Sequence, residues 1–229
     1  MTQNYVKEDN LQTAMAEYQD NMGEGRTLYD QYERELGTVT QVYNNTTGAG
    51  EQVYAVVKNP DEKAEDVQEV TVLFRGSTGP DHILNEAPDV WNDWAENDSV
   101  IAKRIIMQSD LSDRDQSTEQ LKASARALKD IMEKYPNAKI NIYGHSLGSM
   151  DAQYAMAALE AAQIERIQQA YIYNGPDVYR ILSPEQRKIV DQIKGRIYNY
   201  ADPKDKISMV GRDPNKGCLL YTSPSPRDR

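Results

Sequence analysis

Cysteine is nearly absent from this chain, and long apolar runs are absent altogether. Cys218 is the only cysteine among 229 residues, which excludes a disulfide within the chain. No stretch approaches the ~18 consecutive apolar residues that a membrane-spanning helix needs. Residues 1–20 also lack the apolar core of a Sec signal peptide. We therefore expect a cytoplasmic protein, or one exported by a route other than Sec.

Basic residues are outnumbered by acidic ones. The 26 lysines and arginines stand against 36 aspartates and glutamates, giving a formal net charge of −10. This balance argues against a nucleic-acid-binding protein, whose surface needs a basic patch, and against electrostatic binding to anionic membranes. The remaining composition, with 39% hydrophobic and 27% charged residues, is typical of a globular protein, and the length suits one sizeable α/β domain.

Residues 1–36 are predicted to be an N-terminal helical segment, because their apolar side chains recur at spacings of three and four. These side chains are Leu11, Met15, Tyr18 and Met22, followed by Leu28, Tyr32 and Leu36. Such a segment would suit a helical cap over the edge of the following sheet. The alternative is a docking or targeting element of an exported protein.

Residues 37–217 are predicted to form one α/β domain. From residue 68 onward, predicted strands alternate with predicted helices, which is typical of a mostly parallel sheet flanked by helices. The strands are expected at Val39–Tyr43, Gln52–Val57, Val70–Phe74, Lys139–Tyr143, Ala170–Tyr173 and Arg196–Tyr200. One helix is expected to begin at Ser183, which is followed by proline and then by glutamine in a capping pattern, and to end at Gly195.

Residues 218–229 differ from the rest of the chain in composition. Their sequence is CLLYTSPSPRDR, and the run from Cys218 to Asp228 can be encoded by a widely used sequencing adapter read in one frame. We interpret this segment as a non-native tail and exclude it from the fold prediction. The alternative is an ordinary flexible tail rich in serine and proline. On the first interpretation, we expect the natural protein to continue past Gly217.

The strongest motif is GHSLG at 144–148, which lies between a predicted strand and a predicted helix. A G-x-S-x-G segment in this context is typical of a nucleophile elbow, a sharp turn that presents a serine. Positions two before and two after the serine need glycine, because a side chain there would collide with neighbouring backbone. Ser146 is therefore the candidate nucleophile, and the backbone N–H of Leu147 is a candidate oxyanion donor. The alternative is a tight turn without chemistry.

A second segment, FRGS at 74–77, follows an earlier predicted strand, where another oxyanion donor is expected. Together with Trp91, Trp94 and the GHSLG motif, it resembles the class 3 (fungal-type) lipases, and most of all their bacterial relatives of unassigned substrate. The resemblance extends roughly from residue 52 to residue 210. It implies an α/β-hydrolase fold in which Ser77 donates to the oxyanion from its backbone and its hydroxyl.

The resemblance also implies a lid over the site, formed by the acidic segment between Ser77 and Asp98. Both tryptophans of the chain, Trp91 and Trp94, lie in this segment. They suit a core anchor equally well, so the sequence predicts either a lid or a packed loop here.

The catalytic acid is expected after the last predicted strand, because α/β-hydrolases present their triad in the order Ser, Asp or Glu, His. Asp202 and Asp205 both follow Arg196–Tyr200. Asp205 is preferred, because the apolar residues that follow it match the family's spacing. Asp202 is the second candidate, and the remaining alternative is that both are solvated loop acids.

No histidine follows the candidate acids, although the base of such a triad should do so. The chain contains two histidines, His82 and His145. A serine hydroxyl needs a base to act as a nucleophile near neutral pH. We therefore expect the catalytic histidine to lie beyond Gly217, with His82 and His145 as weaker candidates, and we expect the chain as printed to be inactive.

These features predict a serine hydrolase that cleaves carboxylic esters through an acyl-enzyme on Ser146. Lipid esters are favoured by the resemblance alone, and acyltransferase, thioesterase and amidase activities stay open on the same fold. Two other classes are a non-catalytic binding protein with a hydrolase fold and an exported lipase-type effector. No cofactor or metal site is predicted, because the histidines lack neighbouring ligands at motif spacing. The expected partner is a small-molecule or lipid ester, with at most transient contact to a lipid surface.

Overall fold

The computed structural model describes residues 2–76 and 117–201, together with Ser208 and Gly211. These residues form a seven-stranded sheet whose spatial order follows the chain. Its strands are β1 (Thr27–Tyr29), β2 (Glu35–Asn44), β3 (Gln52–Val57), β4 (Glu69–Phe74), β5 (Lys139–His145), β6 (Ile167–Tyr173) and β7 (Ile197–Tyr200). Strands β1 to β4 pair antiparallel, and β4 to β7 pair parallel. The parallel arrangement predicted from residue 68 onward is confirmed.

The four parallel strands end at one edge of the sheet. Phe74 of β4 pairs with Gly144 of β5, and His145 of β5 pairs with Tyr173 of β6, which pairs with Tyr200 of β7. In open α/β sheets, ligands bind outside the carboxyl ends of the strands. This edge therefore brings the residues that leave β4 next to the turn that contains Ser146.

Five α-helices occur in the described part of the chain: α1 (Thr2–Met15), α2 (Glu119–Lys134), α3 (Leu147–Ala157), α4 (Ala161–Ile164) and α5 (Pro184–Ile193). The predicted start of α5 is confirmed, because Ser183 Oγ accepts a hydrogen bond from Gln186 N and the Gln186 side chain returns one to Ser183 N. This capping box satisfies two amides that the helix cannot pair internally. The helix ends at Ile193, so the predicted stop at Gly195 falls in the following 3₁₀ turn.

The two faces of the sheet differ in composition. Alternate residues of a strand point to opposite faces, so β5 turns Ile140 and Ile142 towards the helices α2, α3 and α5 and turns Tyr143 towards α1. The first face, which we call the aliphatic face, is dominated by Val, Ile and Ala. The second, the tyrosine face, carries Tyr54, Tyr143, Tyr171, Tyr173 and Tyr200.

The prediction of a helix over residues 1–36 is wrong in its second half. After α1, a 3₁₀ turn at Ala16–Tyr18 follows, and β1 and the start of β2 occupy the remainder. Leu28 is fully buried whereas Tyr29 is 44% exposed, which is the alternation of a strand rather than of a helix. Gly23 and Gly25 disfavour a continuous helix here. The predicted boundary between residues 36 and 37 consequently falls inside β2.

None of the described helices is long and apolar enough to cross a membrane. The predicted lid segment and the predicted non-native tail lie outside the described residues.

Candidate active site

The GHSLG motif forms the turn between β5 and α3. Ser146 lies between His145, the last residue of β5, and Leu147, the first residue of α3. Its backbone has φ 53° and ψ −126°, a strained conformation that residues other than glycine rarely adopt. The strand–turn–helix context that the sequence predicts for this motif is therefore present, and the strain is concentrated at the serine.

Gly144 and Gly148 allow the close backbone approach on which this turn depends. A Cβ atom on Gly144 would lie 2.7 Å from the carbonyl oxygen of Gly148, and one on Gly148 would lie 1.9 Å from the carbonyl oxygen of Phe74. Both distances are shorter than any tolerable contact, so a side chain at either position would push α3 away from β4 and β5. The two glycines hold the start of α3 against the carboxyl ends of these strands.

Ser146 and Leu147 both have little exposure to solvent. Ser146 is 3% exposed and its N–H donates to the carbonyl oxygen of Tyr173 at 2.9 Å. Leu147 is 8% exposed and occupies the first position of α3. Amides in the first turn of a helix lack intrahelical partners, and the helix dipole favours negative charge beside them. The turn therefore places a hydroxyl group beside amides that can stabilise an anion.

The exit of β4 lies directly against this turn. A Cβ atom on Gly76 would lie 2.8 Å from the carbonyl oxygen of His145 and 3.3 Å from Cβ of Ser146. The FRGS segment is thus next to the candidate nucleophile up to its third residue. Ser77, the predicted oxyanion donor, lies outside the described residues, and its role stays a prediction.

The comparisons with known proteins agree with this geometry. A family model described as Mbeg1-like matches residues 110–211. The crystal structure of a mutant form of MDLA from Penicillium cyclopium is similar to the chain with a TM-score of 0.57 and 18% sequence identity, over 91% of this chain and 74% of that chain. The chain has the α/β-hydrolase fold. A search of curated proteins finds no match.

The candidate acids of this α/β-hydrolase follow β7 and lie outside the described residues. Tyr200 ends β7, and its carbonyl oxygen accepts a hydrogen bond from Asn174 N at 2.8 Å. The end of β7 is thereby fixed to the residue that follows β6. Asp202 and Asp205 come directly after this point in the sequence, and both stay predictions.

The His145 side chain lies against Tyr18, in the 3₁₀ turn that follows α1. Its Nδ1 is hydrogen-bonded to the Tyr18 hydroxyl at 3.0 Å, and the two rings meet edge-on with centroids 5.7 Å apart. From the sequence, His145 is only a weak candidate for the base, because its side chain is expected to face away from Ser146. His82, the other weak candidate, lies outside the described residues.

Glu17 and Tyr18 contact residues beside the turn at Ser146, and no motif in the sequence marks them for this position. Glu17 is fully buried, and its Oε1 accepts a hydrogen bond from Gly76 N at 3.3 Å. Burial raises the pKa of Glu17 well above its usual range, although the Gly76 amide, the Tyr18 hydroxyl, the His145 amide and the Arg75 guanidinium all favour the charged form. The helical periodicity includes Tyr18 in an apolar face, but nothing in the pattern indicates that Glu17 is buried.

Across residues 2–76 and 117–201, no group of three or more His, Cys, Asp or Glu side chains is positioned to hold a metal ion.

Proposed function

We propose that this chain is a lipase-type serine hydrolase that cleaves carboxylic esters through an acyl-enzyme on Ser146. The observation that carries the proposal is the backbone of Ser146, which has φ 53° at the junction of β5 and α3. A fold stores strain of this kind where function requires it, and a strained serine at the end of a strand is the mark of a nucleophile elbow.

The proposed reaction begins with attack of Ser146 Oγ on the ester carbonyl carbon. The carbonyl oxygen becomes negative in the tetrahedral intermediate and is stabilised by the N–H of Leu147 and by Ser77. Collapse of this intermediate breaks the bond to the alcohol, which leaves with a proton from the base. Water then attacks the acyl-enzyme by the same route in reverse and releases the acid.

The proposed acid is Asp205, with Asp202 as the second candidate. Either would orient a histidine, which takes the proton from Ser146 and returns it to the leaving alcohol. We expect this histidine beyond Gly217. The placement of β7 beside β6 supports this order, since it directs the chain after Tyr200 to the edge of the sheet at which Ser146 lies.

The proposed substrate is a small-molecule ester, and a lipid ester is the preferred class. Support for the lipid class comes from the resemblance to class 3 lipases in the FRGS and GHSLG motifs. In the same proposal, the segment between Ser77 and Asp98, which contains Trp91 and Trp94, supplies a lid over the site, as the resemblance implies.

A fluorophosphonate probe tests the proposal, because it forms a covalent adduct only with an activated serine. The printed chain and a version extended with its natural downstream sequence would be incubated with the probe, and the adduct located by mass spectrometry. Ser146→Ala should abolish labelling. Ser149→Ala is the matched control, since Ser149 is another buried serine three residues further along the chain, in α3, and it should leave labelling intact.

Each outcome selects one interpretation. Labelling of Ser146 in the extended protein alone supports the hydrolase with its base beyond residue 217. Labelling of the printed chain supports the hydrolase and moves the base to a residue within the chain. If neither form labels, the proposal is refuted in favour of a non-catalytic binding protein that uses the hydrolase fold.

A further inference from the structure

We infer that Glu17 and Tyr18, which we call the N-terminal clamp, position the exit of β4 against the nucleophile turn for catalysis. This inference rests on the proposed function, because it assigns a role in the same site. Both residues lie in the 3₁₀ turn Ala16–Tyr18 that follows α1. They reach Gly76 and His145, which are 59 and 127 positions away in the sequence.

Glu17 contacts the exit of β4 through its carboxyl group. Its Oε1 accepts from the N–H of Gly76 at 3.3 Å, whereas Oε2 makes no hydrogen bond of standard geometry to any described residue. Burial of a carboxyl group is unfavourable for folding. Its position at the backbone of Gly76, the residue before the predicted oxyanion donor, is the first reason to assign it a role in the site.

The charge state of Glu17 suits this position. Burial raises the pKa of this carboxyl well above its usual range, which favours the neutral form of the group. A charged carboxylate here would oppose the negative charge that develops on the substrate oxygen beside Ser146. A neutral carboxyl group accepts the Gly76 hydrogen bond without that opposition.

Tyr18 contacts the other side of the same junction. Its hydroxyl is 3.0 Å from His145 Nδ1, and the Arg75 guanidinium lies 5.7 Å from the centre of its ring. A Cβ atom on Gly76 would lie 2.5 Å from the Tyr18 hydroxyl and 3.3 Å from Ser146 Cβ. Gly76 is therefore held between Tyr18 and Ser146, and the clamp sets the spacing between β4 and the nucleophile turn.

This spacing matters because oxyanion donors act only over a narrow range of distances, about 2.7–3.1 Å. A misplacement of ~1 Å can lower the rate of a reaction by about 100-fold. Loss of the clamp should therefore slow the covalent step at Ser146 more than it weakens binding of the reagent.

Four variants and two measurements test the inference. Glu17→Met keeps the volume and removes the acceptor, Glu17→Gln keeps a neutral acceptor, and Tyr18→Phe removes one hydroxyl. Glu62→Met is the matched control on an exposed loop position. Hydrogen exchange of peptides that cover Gly76 measures how firmly the clamp holds this backbone. The fluorophosphonate reaction measures the reactivity of Ser146, and its kinetics give a binding constant and a covalent rate constant separately. Both measurements would use the printed chain and its extended form.

Glu17→Met should speed exchange at Gly76 and lower the covalent rate constant about tenfold with little change in binding. Glu17→Gln should restore both values most of the way to wild type, which a merely space-filling role would not predict. Tyr18→Phe, which is the least disruptive variant, should show a smaller loss of the same kind and keeps the test decisive if Glu17→Met does not fold.

Two results would overturn the inference while the proposed function stands. One is a covalent rate constant for Glu17→Met and Tyr18→Phe equal to that of wild type. The other is exchange at Gly76 that does not respond to any substitution of Glu17. Absence of labelling in the wild-type protein would instead refute the proposed function, and the catalytic role of the clamp with it.

Discussion

The two faces of the sheet stabilise the molecule in different ways. The aliphatic face packs mainly Val, Ile and Ala side chains against α2, α3 and α5. On the tyrosine face, Tyr143, Tyr171 and Tyr198 stack across neighbouring strands with ring centroids 5.4 and 4.9 Å apart. Tyrosine buries as much area as phenylalanine but brings a hydroxyl that needs a partner. The tyrosine face is therefore the one that can carry hydrogen bonds from the sheet to α1.

The difference between the two faces extends to the turn at Ser146. On the tyrosine face, hydrogen bonds connect the sheet to Asn10 of α1 and to Tyr18 of the following 3₁₀ turn, which contacts His145 next to the candidate nucleophile. On the aliphatic face, α3 is set against the sheet by close packing, with Gly148 against β4. Packing thus positions the helix after Ser146, and a polar network positions the strand before it.

The largest loss should come from Ile142→Ala on the aliphatic face. Ile142 is fully buried on β5, between Val72 of β4 and Ala170 of β6. Deleting its side chain opens a cavity, and we expect the free energy of unfolding in urea to fall by about 2–5 kcal/mol. Ile142→Val, which removes one methyl group, should lower it by only about 1 kcal/mol. Equal losses for the two variants would contradict close packing on this face.

The next largest effect should be a gain, from Asp151→Asn on α3. Asp151 is 1% exposed and its Oδ2 accepts a hydrogen bond from Gln120 at 2.9 Å. Burial raises the pKa of Asp151 to about 7 against the opposing hydrogen bonds of Gln120 and Ser124, and Glu51 adds to the rise. The folded protein holds this proton more tightly than the unfolded chain does, so stability is lost as pH rises from about 4 to beyond 7.

Asparagine cannot ionise, so Asp151→Asn should escape this loss. We expect little change in the free energy of unfolding near pH 4 and an increase on the order of 4 kcal/mol at pH 8. Urea denaturation at several pH values would measure it, with Asp130→Asn at an exposed position of α2 as the control. A gain that is the same at pH 4 and pH 8 would show that the carboxyl group is not protonated in the fold.

The sequence predicts the elbow well because the elbow is a local structure. Gly144, Ser146 and Gly148 lie within one strand–turn–helix unit, and each glycine has a steric reason that spacing alone reveals. The strands of the aliphatic face are predicted for a similar reason, since their apolar runs are short and bounded by turns.

The rest depends on contacts between distant parts of the chain. Residues Leu28 and Leu36 repeat at helical spacing by coincidence, and only pairing with β2 makes a strand at Thr27–Tyr29. Glu17 is an ordinary acidic residue in a helical pattern until α1 brings it against Gly76. No periodicity in a single segment reports such a contact, so both features were outside what the sequence could predict.

A smaller loss is expected from Tyr143→Phe on the tyrosine face. The Tyr143 hydroxyl donates to Asn10 Oδ1 at 2.9 Å and so joins β5 to α1. Removing it should lower the free energy of unfolding by about 1 kcal/mol and speed hydrogen exchange in α1. Tyr54→Phe is the control, since the Tyr54 hydroxyl accepts a hydrogen bond from Gln52 on its own strand. Equal exchange in α1 for the two variants would mean that this hydrogen bond does not hold the helix.

The smallest effect should come from Tyr173→Phe. Its sign shows whether Tyr173 stabilises the fold by ring stacking alone or also by hydrogen bonding. Tyr173 is 2% exposed, and its ring stacks on Tyr200 with centroids 5.0 Å apart. Its hydroxyl oxygen is buried and makes no hydrogen bond to any residue that the structure describes. Phenylalanine keeps the stack and removes the unpaired group, so the free energy of unfolding in urea should stay the same or rise by up to about 1 kcal/mol. A fall equal to that of Tyr143→Phe would mean that Tyr173 has a hydrogen-bond partner, and that the whole face, not only its contact with α1, is a polar network.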